Sequence, residues 1–217
     1  MRQDARPQDN GAHGDDAASY ALLAGAEDRG SAARSAGLAR DGELALADGT
    51  ALPVRAVHPG DAPALQRLHE RLSERSIELR FFAPQRRLSD EMAERFARPA
   101  DGDHFALATL APEAREGEEE IVAVVRYERA ASTEAAEYAA VVEDGWQGRG
   151  IGSAMTTRLV GVARERGIRR LYALVTPGNE RMLRLLRGLG LPTQTAHKDG
   201  ALCVEVDLSR DADVRVA

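Results

Sequence analysis

Apolar residues recur along this chain with the spacing of strands in some segments and of helices in others. Alternating or continuous apolar positions predict strands at 52–57, 104–110, 121–129, 137–142, 170–176, 193–196 and 201–208. Spacings of three and four residues predict helices that begin near positions 61, 73, 89, 150 and 180. Helices and strands therefore alternate through the second half of the chain. We expect an α/β fold with a mixed sheet.

The first 48 residues carry few apolar positions. Leu38, Leu44 and Leu46 are too sparse to predict a core, so we expect residues 1–48 to form a mostly disordered tail. A short helix near 17–26 is compatible with the pattern. We place the globular domain at 49–210 and a C-terminal tail at 211–217.

Composition narrows the class of protein. The chain has 217 residues, of which 43% are hydrophobic and 29% charged, as in a soluble globular domain. It has no apolar run of the roughly 20 residues that span a membrane and no signal segment. The single Cys203 excludes an internal disulfide, and the five histidines share no metal-ligand spacing. A net charge of -6 argues against general nucleic-acid binding. We expect a cytoplasmic monomer or homodimer without a metal, a membrane or a nucleic-acid partner.

The segment from Val141 to Ser153 carries the strongest signal for a ligand site. Strand 137–142 leads through an acidic turn into the run Gln147–Gly148–Arg149–Gly150–Ile151–Gly152, which opens a helix. The first N–H groups of a helix carry the positive end of its dipole, and glycines let a phosphate approach the backbone. The spacing matches neither a Walker loop nor a dinucleotide-binding Gly-x-Gly-x-x-Gly. A tight turn that binds nothing is the alternative.

Three segments together resemble a known family. The spacing Gln-x-x-Gly-x-Gly from Gln147 to Gly152 resembles the acyl-CoA loop of the GNAT superfamily of N-acetyltransferases. The segment from Asn179 to Leu191 resembles the family's Asn, helix and Leu-Gly-Phe segment. The segments 52–61 and 72–82 resemble the N-terminal helices of bacterial Pat-type protein lysine acetyltransferases. The resemblance covers about residues 50–208 and implies a mostly antiparallel mixed central sheet that is flanked by helices and splayed at the acyl-CoA site.

The resemblance also implies that acetyl-CoA is the co-substrate. In the family the loop amides cradle the pyrophosphate, and the strand end, the Asn and the following helix line the pantetheine and the acyl group. The residues so implied are Val141, Val142, Gln147, Gly148, Arg149, Gly150, Ile151, Gly152, Ser153, Asn179 and Met182. Taken alone, Asn179 is equally well a helix cap. Arg75 and Arg80 could reach the CoA phosphates or an acidic partner, or could be ordinary helix-surface arginines.

Acetyl transfer to an amine needs a base, a donor for the developing oxyanion and a leaving thiolate. Because Pat-type enzymes use a glutamate in this region, the resemblance implies Glu137 as the base. A surface glutamate is the alternative reading of Glu137, with Glu128 and Glu143 as the other candidate bases. The backbone amide of Val142 or a neighbour is the candidate oxyanion donor. Many family members carry a Tyr acid seven residues after the Asn, where this chain has Leu186.

Three functions remain open at this point. The first is an acetyl-CoA-dependent N-acetyltransferase whose acceptor is a protein lysine side chain. The second is the same chemistry on a small-molecule amine, and the third is a non-catalytic acyl-CoA-binding module. Pat-type enzymes also tend to lack the Tyr, so Leu186 favours the first function over the second and leaves room for the third. The short polar segment 1–48 puts the allosteric control of the Pat-type enzymes in doubt.

Overall fold

An eight-stranded sheet forms the centre of the computed structural model, which describes residues 42–112, 119–129 and 133–210. Its strands are β1 (Gly42–Ala45), β2 (Ala51–Ala56), β3 (His104–Leu110), β4 (Ile121–Arg129), β5 (Ala135–Val142), β6 (Arg170–Val175), β7 (Thr193–Lys198) and β8 (Ala201–Asp207). Their order across the sheet is β1-β2-β3-β4-β5-β6-β8-β7. Every neighbouring pair is antiparallel except β5 and β6. The expected α/β fold with a mostly antiparallel mixed sheet is confirmed.

Among the described residues, five α-helices cover the two faces of this sheet. They are α1 (Ala62–Arg71), α2 (Glu74–Phe81), α3 (Asp90–Phe96), α4 (Ile151–Glu165) and α5 (Glu180–Arg187). The hydroxyls of Ser73 and Ser89 accept the N–H groups that begin α2 and α3, which fixes where these helices start. Helices α4 and α5 pack on one face, and α1, α2 and α3 pack on the other. Within the described ranges, no helix has the length and the apolar character that crossing a membrane requires.

The two sides of each central strand belong to different cores. In β4, Val125 and Tyr127 face the core under α4, whereas Val124 and Arg126 face the helices on the other side. Successive strand residues point to opposite faces, so this division follows directly from the strand period. Arg126 is therefore a charged residue on an otherwise apolar inner surface.

The pairing of β5 with β6 is short. Only Ala135, Ala136 and Glu137 pair with β6, opposite the segment from Arg170 to Tyr172. Beyond Glu137, β5 pairs with β4 alone, so the two strands part within the sheet. Because helix α4 connects them, the parting lies next to its N-terminus. The splayed sheet expected from the family resemblance is present at the expected place.

The sheet begins inside the segment that the sequence pattern assigned to a tail. Leu44 of β1 lies opposite Leu52 of β2, and Leu44 and Leu46 are only 7% and 8% exposed. A four-residue strand with a single buried position shows no period, and Leu46 is placed by a turn in which its N–H donates to the carbonyl of Thr50 at 2.8 Å. Because Leu44 and Leu46 are sparsely spaced, the sequence pattern did not predict that they belong to the core. Residues 1–41, with the helix expected near 17–26, and residues 211–217 lie outside the described part of the chain.

The final hairpin is tighter than the sequence indicated. Strand β7 runs on through His197 to Lys198, and the turn consists of Asp199 and Gly200 alone. Both residues have positive φ angles, 47° and 77°, as a two-residue turn of type I′ requires. The Asp-Gly dipeptide was the signal for this shorter turn.

Replacing Leu44 with Ala tests whether β1 belongs to the core. The change removes a buried side chain, so we expect the free energy of unfolding to fall by about 2 kcal/mol. The exposed neighbour provides a matched control, since Glu43→Ala should change it by less than about 0.5 kcal/mol. Urea denaturation followed by circular dichroism measures both. Equal midpoints for the two variants would show that β1 contributes nothing to the core.

Candidate active site

A cavity of about 560 Å³ lies where β5 and β6 part. Its walls are β5, the turn that follows it, the N-termini of α4 and α5, and one side of α2. Pockets of this size commonly hold a cofactor or another small molecule. The cavity is lined by the first candidate base, Glu137, and by all but one of the residues predicted to bind the cofactor, namely Val141, Val142, Gln147, Gly148, Gly150, Ile151, Gly152, Ser153, Asn179 and Met182.

The glycine turn presents free backbone donors to this cavity. Gly148 and Gly150 have φ angles of 79° and 84°, which residues with a Cβ adopt only with strain. No side chain caps α4, and the first bond into this helix runs from the Ala154 N–H to the Gly150 carbonyl. The N–H groups of residues 151–153 therefore have no partner among the described residues. Such a helix end is suited to bind an anion.

Gln147 joins three sides of the cavity. Its Nε2 donates to the carbonyl of Val142 at 2.9 Å and to the hydroxyl of Ser76 on α2 at 3.2 Å. Its Oε1 accepts from the guanidinium of Arg181 on α5. Gln147 thus fixes the end of β5 relative to both helices.

Arg149 is the one predicted cofactor-binding residue that does not line the cavity. Its guanidinium lies 3.7 Å from the carboxylate of Asp48 and 4.8 Å from the centre of the Trp146 ring. The side chain thus connects the glycine turn to the turn between β1 and β2. Any contact of Arg149 with a ligand remains a prediction for its backbone.

The strand register directs backbone groups of β5 into the cavity. The Glu143 N–H donates to the Val122 carbonyl at 2.9 Å, so these two residues form a hydrogen-bonded pair of the antiparallel ladder. Because such pairs alternate, the backbone groups of Val141 point to β4, whereas those of Val142 and Ala140 point away from it, to the side where β6 has parted. The N–H of Val142 therefore faces the cavity, as the candidate oxyanion donor must.

Asn179 caps α5 and also lines the cavity. Its Oδ1 accepts the Met182 N–H at 3.1 Å and so caps α5. The residue is 9% exposed and lines the cavity, and its Nδ2 has no hydrogen-bond partner among the described residues. One end of the amide therefore holds the helix, while the other end can donate to a ligand.

The acidic turn before the glycines is structural. Asp144 accepts the backbone N–H of Ser73 at 2.9 Å and the hydroxyls of Ser73 and Ser76 at 2.8 Å each. Burial raises the pKa of Asp144, but the hydrogen bonds from Ser73 and Ser76 outweigh burial and hold the pKa below its usual range. Glu143 accepts from Arg71 at 3.0 Å. Both acids therefore anchor the turn to α1 and α2, and Glu143 is poorly placed to act as a base.

Glu137 is the titratable group that the cavity leaves most available. It is half-buried on β5, lines the cavity and accepts no hydrogen bond within the described residues. Burial raises its pKa, and the positive charge of Arg80 opposes part of that rise. Its neighbour across the ladder, Glu128, is instead surrounded by Arg126, Arg98 and Arg95 at 3.2, 3.4 and 3.8 Å. Glu128 therefore serves as a counter-ion, whereas Glu137 is free to take up a proton.

Arg80 differs from an ordinary helix-surface arginine. It is half-buried, with its guanidinium 4.9 Å and 5.8 Å from the ring centres of Phe81 and Phe96, and it interacts electrostatically with Glu137. The sequence contained a signal for this position. Ser73, Ser76 and Arg80 are spaced by three and four residues, which places them on one side of α2, and all three line the cavity.

Leu186, at the position where many family members carry a tyrosine, is a core residue. The side chain is 1% exposed and belongs to the core between α5 and the sheet. Met182 and Leu185 face the cavity in its place. Position 186 therefore supplies no proton donor in this chain.

Three side chains near the start of α1 form a possible metal-ligating group among the described residues. Ligand atoms of His58, Asp61 and Glu119 lie within 4.8 Å of one another. Arg55 already pairs with Asp61 at 2.7 Å and with Glu119. A guanidinium thus supplies the positive charge that balances these carboxylates.

Comparison with known proteins identifies the family. Residues 66–191 match the acetyltransferase (GNAT) family. The chain is 34% identical to the GNAT domain of PAT from S. lividans, with a TM-score of 0.70, over 80% of this chain and 99% of that domain. The chain therefore belongs to the GNAT family of acetyltransferases and is an N-acetyltransferase. Enzymes of this family use acetyl-CoA as the co-substrate.

Two further structures resemble this chain. A cAMP-binding acyltransferase from Mycobacterium smegmatis is 26% identical, with a TM-score of 0.54, over 80% of this chain and 48% of that protein. The chain thus spans about half the length of that relative. The ribosomal L7/L12 α-N-protein acetyltransferase RimL, solved in complex with coenzyme A, is 18% identical over 74% of this chain and 96% of RimL, with a TM-score of 0.56. This last likeness shows the fold alone.

A pair of substitutions at Gly150 tests the glycine turn as an anion site. A Cβ at this position meets no atom within 4 Å, but the positive φ strains any residue with a side chain. Gly150→Ala introduces this strain alone, whereas Gly150→Asp adds a negative charge beside the free N–H groups. We expect the aspartate variant to bind CoA about tenfold more weakly than the alanine variant in calorimetric titration. Equal affinities would contradict a pyrophosphate at this turn.

Proposed function

We propose that this enzyme transfers the acetyl group of acetyl-CoA to a protein lysine side chain, with Glu137 as the general base. The observation that carries the proposal is the position of Glu137. A half-buried carboxylate that accepts no hydrogen bond from the described residues lines the same cavity as the donor-rich turn at the start of α4. One cavity can therefore hold an anionic cofactor at one end and a reacting amine at the other.

The backbone of the site accounts for how acetyl-CoA would be held. Its pyrophosphate fits the N–H groups of residues 151–153 at the start of α4. The Nδ2 of Asn179, at the start of α5, fits a part of the cofactor away from the pyrophosphate. The pantetheine would pair with the groups of Val142 that face away from β4, next to the glycine turn. The thioester oxygen would then accept from the neighbouring Ala140 N–H, which also faces away from β4 and lies nearer to Glu137, and this bond stabilises the negative charge that develops there.

The reaction follows from these positions. Only the neutral amine attacks, so Glu137 takes the proton from the nitrogen as the new C–N bond forms and the C–S bond breaks. Burial raises the pKa of Glu137 and so brings it closer to the working pH, which favours a general base. Leu186 donates no proton. The thiolate leaves unassisted, because a thiolate whose thiol has a pKa of about 8.5 is only a weak base.

The assignment of the acceptor rests on likeness to the Pat-type enzymes. The segments 52–61 and 72–82 near the start of the domain carry that likeness in the sequence. The match to the S. lividans PAT domain covers most of the chain. Segment 52–61 forms most of β2 and the turn that leads into α1, whereas segment 72–82 forms α2, which walls the cavity on the side of Glu137. A small-molecule amine as the acceptor is the alternative.

Replacing Glu137 with Gln tests the base. The amide keeps the shape of the side chain but cannot take up the proton, so we expect kcat to fall by about 10²- to 10⁴-fold. The KM for acetyl-CoA should change little, because the cofactor contacts lie elsewhere in the cavity. Glu134→Gln, at an exposed position before β5, is the matched control and should retain full activity.

The pH profile gives a second readout of the same test. Because burial raises the pKa of Glu137, the activity of the unmodified enzyme should decline as the pH falls through a value above that of an ordinary glutamate. This acid limb should be absent from the residual activity of Glu137→Gln. A variant with unchanged kcat and an unchanged acid limb would remove Glu137 as the base.

A further inference from the structure

A second, smaller pocket adjoins the main cavity. It has a volume of about 40 Å³ and lies between α1, α2, α3 and the sheet. Arg80, Ala139 and Val141 line both spaces, so the two share one wall beside Glu137. We call this space the inner pocket. Its other polar lining residues are His69 and Arg126.

Arg126 lies almost completely inside the protein without a full set of partners. Its side chain is 7% exposed, and its guanidinium lies 4.4 Å from the centre of the Phe96 ring. Its Nη2 donates to Glu128 at 3.2 Å, but its buried Nη1 has no hydrogen-bond partner among the described residues. A buried charged donor without a partner is costly and therefore rare. An anion in the inner pocket would supply the missing acceptor.

The surroundings of the inner pocket carry more positive than negative charge. Four guanidinium groups, those of Arg80, Arg95, Arg98 and Arg126, surround two carboxylates, those of Glu128 and Glu137. Burial, together with the nearby arginines, lowers the pKa of His104 to about 3, so that this side chain is neutral.

Arg80 and Arg126 are the two charged residues that reach the inner pocket. Arg80 forms no hydrogen bond or ion pair with any described residue, and burial next to Arg80 lowers the pKa of Arg126 to about 10. An acidic ligand would give Arg80 a partner and would oppose the lowering of the Arg126 pKa.

We propose that the inner pocket is a subsite for a carboxylate of the substrate, held by Arg80 and Arg126. A guanidinium binds a carboxylate through two parallel hydrogen bonds, and the volume of the pocket admits a group of that size but not a ring. The apolar remainder of the wall, which includes Phe81 and Phe96, would strengthen these bonds by excluding water. The inference rests on the proposed function, because the carboxylate would belong to a substrate of the same transfer.

Two substrates could bring this carboxylate to the inner pocket. One is an acyl-CoA whose acyl chain ends in a carboxylate, as in succinyl-CoA, since the shared wall is the part of β5 that the acyl group would approach. The other is an acidic side chain next to the acceptor lysine. In either case the amine displaces the CoA thiolate and its proton passes to Glu137, while the carboxylate stays chemically unchanged.

Matched donors and matched acceptors distinguish these sources. In the donor arm, kcat/KM is measured for succinyl-CoA and for butyryl-CoA, which has the same number of acyl carbons and no charge, with one neutral lysine peptide. In the acceptor arm, acetyl-CoA is combined with lysine peptides that carry Glu or Gln beside the lysine. We expect the carboxylate-bearing substrate to be favoured at least about tenfold in one arm, as for a charge-assisted pair.

Arg80→Met is the main variant, because Arg80 is only half-buried and its loss should leave the fold intact, whereas Arg126→Met removes a buried side chain. Arg87→Met removes the same charge at an exposed position and is the control. The preference should collapse in Arg80→Met and persist in Arg87→Met. The arm that shows this pattern names the source. No preference in either arm, or a preference that survives in Arg80→Met, would overturn the proposal.

A binding measurement separates this inference from the proposed function. If no lysine peptide accepts an acyl group, the proposed function fails, and calorimetric affinities for succinyl-CoA and butyryl-CoA still test the subsite without turnover. Tighter binding of succinyl-CoA that is lost in Arg80→Met would retain a donor subsite. Equal affinities in the absence of turnover would refute the subsite as well.

Discussion

The parting of β5 from β6 is the constraint on which the site depends. After Glu137, the backbone groups of Ala140 and Val142 that face away from β4 no longer find a strand partner. Buried backbone groups need hydrogen bonds, so this gap in the sheet is a ready site for an extended, amide-containing ligand such as pantetheine. The glycine turn and the start of α4 lie at the end of the same strand. The parting of the two strands thereby places the glycine turn, the unpaired backbone groups of β5 and the Glu137 carboxylate along a single strand.

The surrounding polar contacts keep this gap open and in shape. Gln147 links the end of β5 to α2 and α5, while Asp144 binds the first turn of α2. Together they hold α2 against the cavity although this helix has no fully buried residue of its own. The charges on the far side of β5 have a different role. Arg126 and Glu128 occupy a sheet face that apolar side chains would fill more favourably, and under the proposed function their charge surrounds the base.

Much of the fold and part of the site could be predicted from the sequence. The strands from β2 onward, the glycine turn and the cap at Asn179 depend on residues near one another in the chain, so their spacing was informative. Strand β1 was missed because Leu44 gains its partner only across the sheet. The alternation along β4 put Arg126 on the face opposite Val125 and Tyr127, but its burial depends on α3, which is distant in sequence. The arginines around Glu137 therefore required the tertiary structure.

Acceptor-dependent release of free CoA thiol from acetyl-CoA is the most direct test of the central claim. The assay compares lysine-bearing proteins with small amines. Because Lys198 is the only lysine in the chain, Lys198→Arg enzyme removes self-acetylation of side chains as a source of signal. The account predicts thiol release with the lysine-bearing proteins and a matching acetyl-lysine in them by mass spectrometry. Thiol release with small amines alone, or with no acceptor at all, would contradict it.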